Sequence, residues 1–185
     1  SVLKKAEVDE VPKATVAVFV GTEFDVIKGR GGGDEPIRKT PWGEIAWQLG
    51  GQKGFDLIAE HDAQGVAPGG DVLRELLGNE PALILIDELM NYITRVRKFN
   101  LGLRDQFFSF LQNLCEEARA HNNVVVCASI PASEDLEMSP EDVRDFQSLK
   151  KLLDRLGKAI MMSADAEIAE IIRRRLFDWD LFDVE

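Results

Sequence analysis

The fold of this chain is constrained most by three short runs of consecutive apolar residues. Segments with helical periodicity separate them. The runs are 14–21 (ATVAVFVG), 82–88 (ALILIDE) and 124–129 (VVVCAS). Strands that are buried on both faces of a parallel sheet have this composition, rich in Val, Ile and Leu without alternation. Strands that alternate with helices predict an α/β fold, in which helices cover both faces of a mostly parallel sheet.

The remaining elements are predicted from apolar periodicity and from Gly and Pro signals. A fourth short strand is predicted at 159–162. Residues 28–41 are predicted to form a loop because they contain three consecutive glycines, and residues 54–65 are ambiguous, with a short strand as one alternative. Helices are predicted from Pro41 to the glycines at 50–51, and over 103–121, 142–156 and 164–177. Another helix is predicted to open at 68–71, with Asp71 as a candidate N-cap, and to end at 78–79.

Composition excludes several classes of protein. The 185 residues suit about one domain, and no apolar run approaches the roughly 18 residues of a membrane span. The net charge of −11, from 22 basic and 33 acidic residues, argues against direct binding of nucleic acid. Cys115 and Cys127 have no CxxC partner, so we expect buried free thiols in a cytoplasmic protein. Because the first residue is Ser1, we also expect a piece of a longer protein.

The strongest chemical signal is the acidic pair Asp87-Glu88 at the end of the second apolar run. In P-loop nucleoside triphosphatases, an aspartate at a strand tip holds Mg²⁺ through water beside the phosphates. The glutamate that follows it orients the attacking water or takes a proton from it. The alternative is a buried strand that simply ends in an acidic turn.

Two further residues fit the same chemistry. Ser129 ends the next predicted strand, where AAA+ ATPases carry a small polar residue that contacts the γ-phosphate or the attacking water. Arg155 precedes the predicted fourth strand, where AAA+ modules often carry an arginine that reaches the γ-phosphate of the neighbouring subunit and stabilises the charge that develops during transfer. The alternatives are an ordinary serine at a strand exit and a surface arginine on an amphipathic helix.

Other polar patterns are weaker. The glycine run at 29–33 is not followed by Lys-Ser/Thr, and the sequence contains no GxxxxGK[ST] phosphate-binding loop. The three arginines 173–175 are consecutive, so they cannot all face one ligand from a helix, and a solvated or interdomain face is the simpler interpretation. The acidic end of the chain, 178–183, is interpreted as a solvated tail rather than a metal site.

Five segments together resemble an uncharacterised prokaryotic family of large AAA+-like P-loop ATPases, which is catalogued as a domain of unknown function and often encoded beside DNA methyltransferases in defence-type gene clusters. The resemblance extends over residues 14–178. Its segments are TPWGEIAWQLGG (40–51), VAPGGDVLRELL (66–77), LILIDELMNYI (83–93), SIPASE (129–134) and EIIRRRLF (170–177).

The resemblance implies a P-loop NTPase fold in which Asp87 and Glu88 are the Walker B pair, Ser129 is at the sensor-1 position and Arg155 is an arginine finger. It implies Mg²⁺ and ATP as ligands of the longer protein, a homo-oligomer, and partners in DNA modification or defence. Residues 1–163 would be the ATPase core fragment and 164–185 the start of a helical lid or tail. In the family, the phosphate-binding loop and the strand that leads into it lie upstream of the matched region. The chain alone should therefore be inactive. Its sheet should also lack the middle strand, unless the other strands re-pair.

Two other functions remain open. A scaffold that has lost hydrolysis would use the acidic segment 133–145 and the arginines 173–175 to bind a protein partner. A metal-dependent nuclease would need a further carboxylate at a neighbouring strand end, for which Glu23 and Asp25 are the available residues.

Overall fold

The computed structural model describes residues 13–130 and 138–158, which form an α/β structure. The strands are β1 (Thr15–Val20), β2 (Arg30–Gly32), β3 (Glu35–Arg38), β4 (Ala82–Asp87) and β5 (Val124–Ala128). The helices are α1 (Pro41–Gln64), α2 (Gly70–Leu77), α3 (Leu89–Phe99), α4 (Leu101–Ala120) and α5 (Pro140–Leu156).

The three predicted long strands form one parallel sheet in the order β1-β4-β5. Val20 pairs in register with Asp87, and Ile86 pairs with Ala128, so the carboxyl ends of all three strands lie at one edge. The predicted parallel α/β architecture is therefore confirmed. The fourth predicted strand, 159–162, and the helix predicted over 164–177 lie outside the described residues.

One face of this sheet forms the core. Ala17, Phe19, Ile84 and Ile86 are at most 2% exposed, because they point towards the helices. The aromatic ring of Tyr92 on α3 lies edge-on to Phe19, with 5.3 Å between the ring centroids. On the opposite face, Val16, Val18 and Val125 are 37–55% exposed. In the described part of the chain, the predicted cover of helices is therefore found on one face and is incomplete on the other.

The helix that begins at Pro41 differs in length from the prediction. Thr40 caps it by accepting a hydrogen bond from the Gly43 N–H, as expected for a threonine at this position. The helix is interrupted at the predicted glycines, since Gly51 has a φ of 57° and a ψ of −142°, which are not helical; a second helical segment, which was not predicted, follows directly and extends to Gln64. Glycine adopts this conformation without steric cost, and the ambiguous segment 54–65 is the second half of the helix.

The predicted loop 28–41 contains the antiparallel hairpin β2–β3, with the glycine run at its turn. Arg38 anchors the hairpin, since its Nε donates to Glu44 over 2.8 Å while both side chains are 3% exposed. Asp62, near the end of α1, accepts hydrogen bonds from the backbone N–H groups of Lys39 and Thr40. Sequence periodicity missed this hairpin because polar contacts rather than an apolar face hold it.

Smaller corrections concern caps and thiols. The N-cap of α2 is Gly69, and no side chain caps it, so the prediction for Asp71 is wrong. Cys127 is exposed rather than buried, whereas Cys115 is partly buried and burial raises the pKa of its thiol. Among the residues described, no helix is both long and apolar enough to cross a bilayer.

Candidate functional site

The carboxyl edge of the sheet brings three of the four predicted site residues together. Asp87 is the last residue of β4, Glu88 follows it, and Ser129 follows β5. The Ser129 N–H donates to the carbonyl of Ile86 over 3.0 Å, which extends the β4–β5 ladder to the edge. All three side chains belong to exposed residues, as a site open to a ligand requires.

The Asp87 carboxylate is oriented by its neighbours. Its Oδ1 accepts hydrogen bonds from the Ser129 hydroxyl and, over 2.9 Å, from the Glu88 N–H. Its Oδ2 has no hydrogen-bond partner within the described ranges. One oxygen is therefore held by the protein, while the described residues leave the other without a partner.

Glu88 adopts an unusual backbone conformation. With φ of 57° and ψ of 38°, it is the one non-glycine residue with a positive φ in the part of the chain that the structure describes. Non-glycine residues in this region cost on the order of 1 kcal/mol and are concentrated at functional sites. The strain is consistent with a residue whose side chain direction matters more than its local stability.

Gly21, the residue after β1, leaves room for the backbone of Glu88 beside the end of β1. Its N–H donates to the Asp87 carbonyl over 2.8 Å. A Cβ atom at this position would lie 2.1 Å from the Glu88 carbonyl oxygen, so only glycine permits the close approach. The place where the end of β1 meets the turn at Glu88 is called the corner below. Arg95 of α3 stabilises it, because its guanidinium donates to the carbonyls of Gly21 and Phe24.

Arg155 is not brought to this edge. It lies on α5, 60% exposed, with its Nη2 4.0 Å from the Glu116 carboxylate near the end of α4. Because α4 ends where β5 begins, this contact places Arg155 towards the opposite, amino-terminal edge of the sheet. No described contact joins it to Asp87, Glu88 or Ser129, and the arginines 173–175 lie outside the described residues.

The carboxylates that a nuclease would need do not join the site. Asp25 accepts hydrogen bonds from the backbone N–H groups of Lys28 and Ile27, which lower its pKa and use it to stabilise a turn. Glu23 pairs with Arg30 of the hairpin over 3.3 Å. The described residues contain no group of three or more His, Cys, Asp or Glu side chains that could hold a metal ion.

Sequence reasoning missed three residues that shape the site: Gly21, Asn91 and Arg95. Asn91 lies in the first turn of α3, and its amide donates to the Glu88 carboxylate. A glycine directly after a buried strand is a weak signal for close backbone approach. The sequence offers no comparable signal for Asn91 or Arg95, because the prediction of helices did not include α3.

Comparisons with known proteins identify a family but no characterised relative. Residues 32–168 match the family model of the DUF499 N-terminal domain, a domain of unknown function. Neither the curated proteins nor the solved structures contain a significant match. The matched segment covers most of the chain and includes β4, β5 and all four predicted site residues. This chain therefore belongs to the DUF499 N-terminal domain family.

Proposed function

We propose that this chain is the magnesium- and water-binding part of an ATP-hydrolysing AAA+-like P-loop ATPase. The observation that carries the proposal is the hydrogen bond from the Ser129 hydroxyl to Asp87, at an edge where Glu88 is the next residue. Two neighbouring parallel strands thereby place an aspartate, a glutamate and a small polar residue together. This is the arrangement that phosphoryl transfer to water requires of the protein.

Asp87 would hold Mg²⁺ through a water molecule. Mg²⁺ keeps several of its waters when it binds, so a carboxylate oxygen that accepts from a coordinated water is a sufficient ligand. The Oδ2 atom of Asp87 is available for this, since Ser129 and the Glu88 N–H both occupy Oδ1. The metal ion would neutralise the charge of the phosphates.

Glu88 would act on the attacking water. Its Oε2 accepts from Asn91, and its Oε1 has no partner among the described residues. A carboxylate with one fixed and one free oxygen can orient a water molecule and accept its proton. Ser129 would contact the same water or the γ-phosphate.

The phosphate-binding loop and the arginine finger would come from elsewhere. No GxxxxGK[ST] occurs in the 185 residues, so the N–H groups and the lysine that cradle the phosphates would be supplied by the polypeptide that precedes them. Arg155 would act on the site of a neighbouring subunit in a homo-oligomer. We therefore expect weak nucleotide binding and negligible turnover from the chain alone. The resemblance to the ATPase family is the basis for proposing partners in DNA modification or defence.

The test is the variant Glu88→Gln in the longer protein that includes the phosphate-binding loop. Removing the carboxylate should lower ATP turnover by about 100-fold or more, because general-base catalysis contributes on that order. The affinity for ATP should stay within about twofold. Glu75→Gln, on the exposed side of α2, is the matched control and should leave both quantities unchanged.

Turnover at the wild-type rate in Glu88→Gln contradicts the proposal. An upstream sequence without GxxxxGK[ST], together with a wild-type protein that hydrolyses no ATP, favours the non-catalytic scaffold instead.

A further inference from the structure

We propose that Asn91 is a positioning residue that holds the carboxylate of Glu88 in the orientation needed to activate water. The inference rests on the proposed function, which it deepens by assigning a role to a residue outside the acidic pair. Asn91 is exposed and lies three residues after Glu88, at the third position of α3. Its side-chain amide donates to Oε2 of Glu88.

The start of α3 departs from the usual way of capping a helix. Ser, Thr, Asp and Asn are preferred at the N-cap, where the side chain accepts from a backbone N–H of the first turn. Here the N-cap is Glu88, and its side chain makes no such bond. In a capping box, the side chain at the third position would reach back to the backbone N–H of the N-cap. Asn91 bonds the carboxylate instead.

Asn91 is available for the carboxylate because the Glu88 N–H is already satisfied. It donates to Asp87 Oδ1 over 2.9 Å, with the Ser129 hydroxyl at 3.4 Å. Asp87 thus satisfies the N–H group that the third-position side chain of a capping box would satisfy, and the side chains of Glu88 and Asn91 bond each other. Glu88 lowers the stability of the fold in two ways: glutamate is not a preferred N-cap residue, and its positive φ is strained. Such locally unfavourable features occur at functional sites.

Other amide–carboxylate pairs show what an ordinary contact of this kind is like. Gln52 with Asp56, Gln64 with Glu60, and Gln112 with Glu116 are separated by four residues within regular helix. Such pairs stabilise a helix by about 0.2–0.5 kcal/mol. The pair of Asn91 and Glu88 differs, because its carboxylate belongs to a residue outside the helix whose backbone is fixed by Gly21 and Asp87.

The expected kinetic effect follows from orientation. A glutamate side chain has three rotatable bonds, and a donor bound to Oε2 limits the directions in which Oε1 can point. Losing this restraint lowers the fraction of molecules in which the carboxylate meets the water, but it does not alter contacts with the phosphates. The rate constant should therefore fall while ATP binding persists.

The first experiment measures ATP hydrolysis by variants of the longer protein. Asn91→Leu, similar in size but without a donor, should lower kcat about tenfold and leave KM within about twofold. Asn91→Gln, which keeps an amide, should recover most of the loss. Gln112→Leu removes a matched contact on α4 and should change neither quantity. Wild-type kcat in Asn91→Leu, or a loss that Asn91→Gln does not relieve, overturns the role of Asn91.

A second experiment tests the contact in the 185-residue chain itself, without any activity. The side-chain amide resonances of Asn91 should shift in the variant Glu88→Ala, whereas those of Asn113 on α4 should not; unchanged Asn91 resonances overturn the inference. The two proposals fail differently. Turnover that survives Glu88→Gln removes the proposed function and the role of Asn91 together. Turnover that Glu88→Gln abolishes but Asn91→Leu leaves intact removes only the role of Asn91.

Discussion

At the scale of single residues, the site depends on how closely two main chains approach at the sheet edge. Gly21 bonds the Asp87 carbonyl, and Glu88 turns the chain into α3 with a positive φ. Neither feature is provided by an apolar pattern, and each restricts the residue types that the corner accepts. The geometry of the acidic pair is therefore set partly by a residue with no side chain.

The variant Gly21→Ala tests this dependence. The new methyl group would lie 2.1 Å from the Glu88 carbonyl oxygen, so β1 or the turn at Glu88 must move. We expect a loss of about 1–3 kcal/mol in the free energy of unfolding, measured by urea denaturation. Gly50→Ala, on α1 with open space around it, should instead be neutral or stabilising. Equal stabilities of the two variants would contradict the account of the corner.

At the scale of elements, a network of ion pairs docks α5 onto α3 and α4. The Asp145 carboxylate, 3% exposed, accepts from both Arg97 and Arg104. Asp142 accepts from Arg97 over 2.8 Å and from the hydroxyl groups of Thr94 and Ser139. Since Arg155 lies on α5, this network sets where the proposed arginine finger is presented.

The pKa of Asp142 gives the network a pH dependence. Burial acts to raise this pKa, but the hydrogen bonds from Ser139, Thr94 and Arg97 outweigh burial and lower it to about 2 from an ordinary 3.8. A lowered pKa means that the stabilisation is present above about pH 4 and is lost as the pH falls towards 2. Asp142→Asn should therefore cost about 1–2 kcal/mol at pH 7, since the carboxylate is partly solvated.

Urea denaturation of both proteins from pH 7 to pH 3 checks this expectation. The difference in unfolding free energy between wild type and Asp142→Asn should shrink through the acid end of the range. A difference that stays constant to pH 3 would show that the ionised carboxylate of Asp142 does not hold α5.

The sequence predicted the elements that an apolar pattern defines. All three long strands were located within a residue or two, and so were the acidic pair and Ser129 at their ends, because buried parallel strands need uninterrupted apolar runs. The break at Gly51 was predicted from its glycines, but the hairpin β2–β3 and the helical segment after Gly51 were not, since buried polar contacts and a short helix after a glycine pair give no clear periodic signal. Asn91 and Arg95 were missed because their roles depend on neighbours brought together only by folding.

At the scale of the whole molecule, the two edges of the sheet differ. The side chain of Gln48 blocks the outer edge of β1, since it accepts from the Val18 N–H over 2.7 Å and donates to the Val18 carbonyl over 2.9 Å. Among the described residues, β5 has no strand on its outer edge. Parallel sheets are normally covered on both faces, and here Val16 and Val125 are about half exposed. In the described part of the chain, the sheet therefore has one edge that Gln48 blocks, one edge that is open at β5, and one face that is only partly covered.

The most direct test of the central claim is a structure of the longer protein with Mg²⁺ and a non-hydrolysable ATP analogue. The account predicts that the Asp87 carboxylate accepts a hydrogen bond from a water on Mg²⁺, and that Glu88 and Ser129 lie beside the γ-phosphate. A nucleotide bound elsewhere, with Asp87 and Glu88 facing solvent and no metal ion near them, would contradict it.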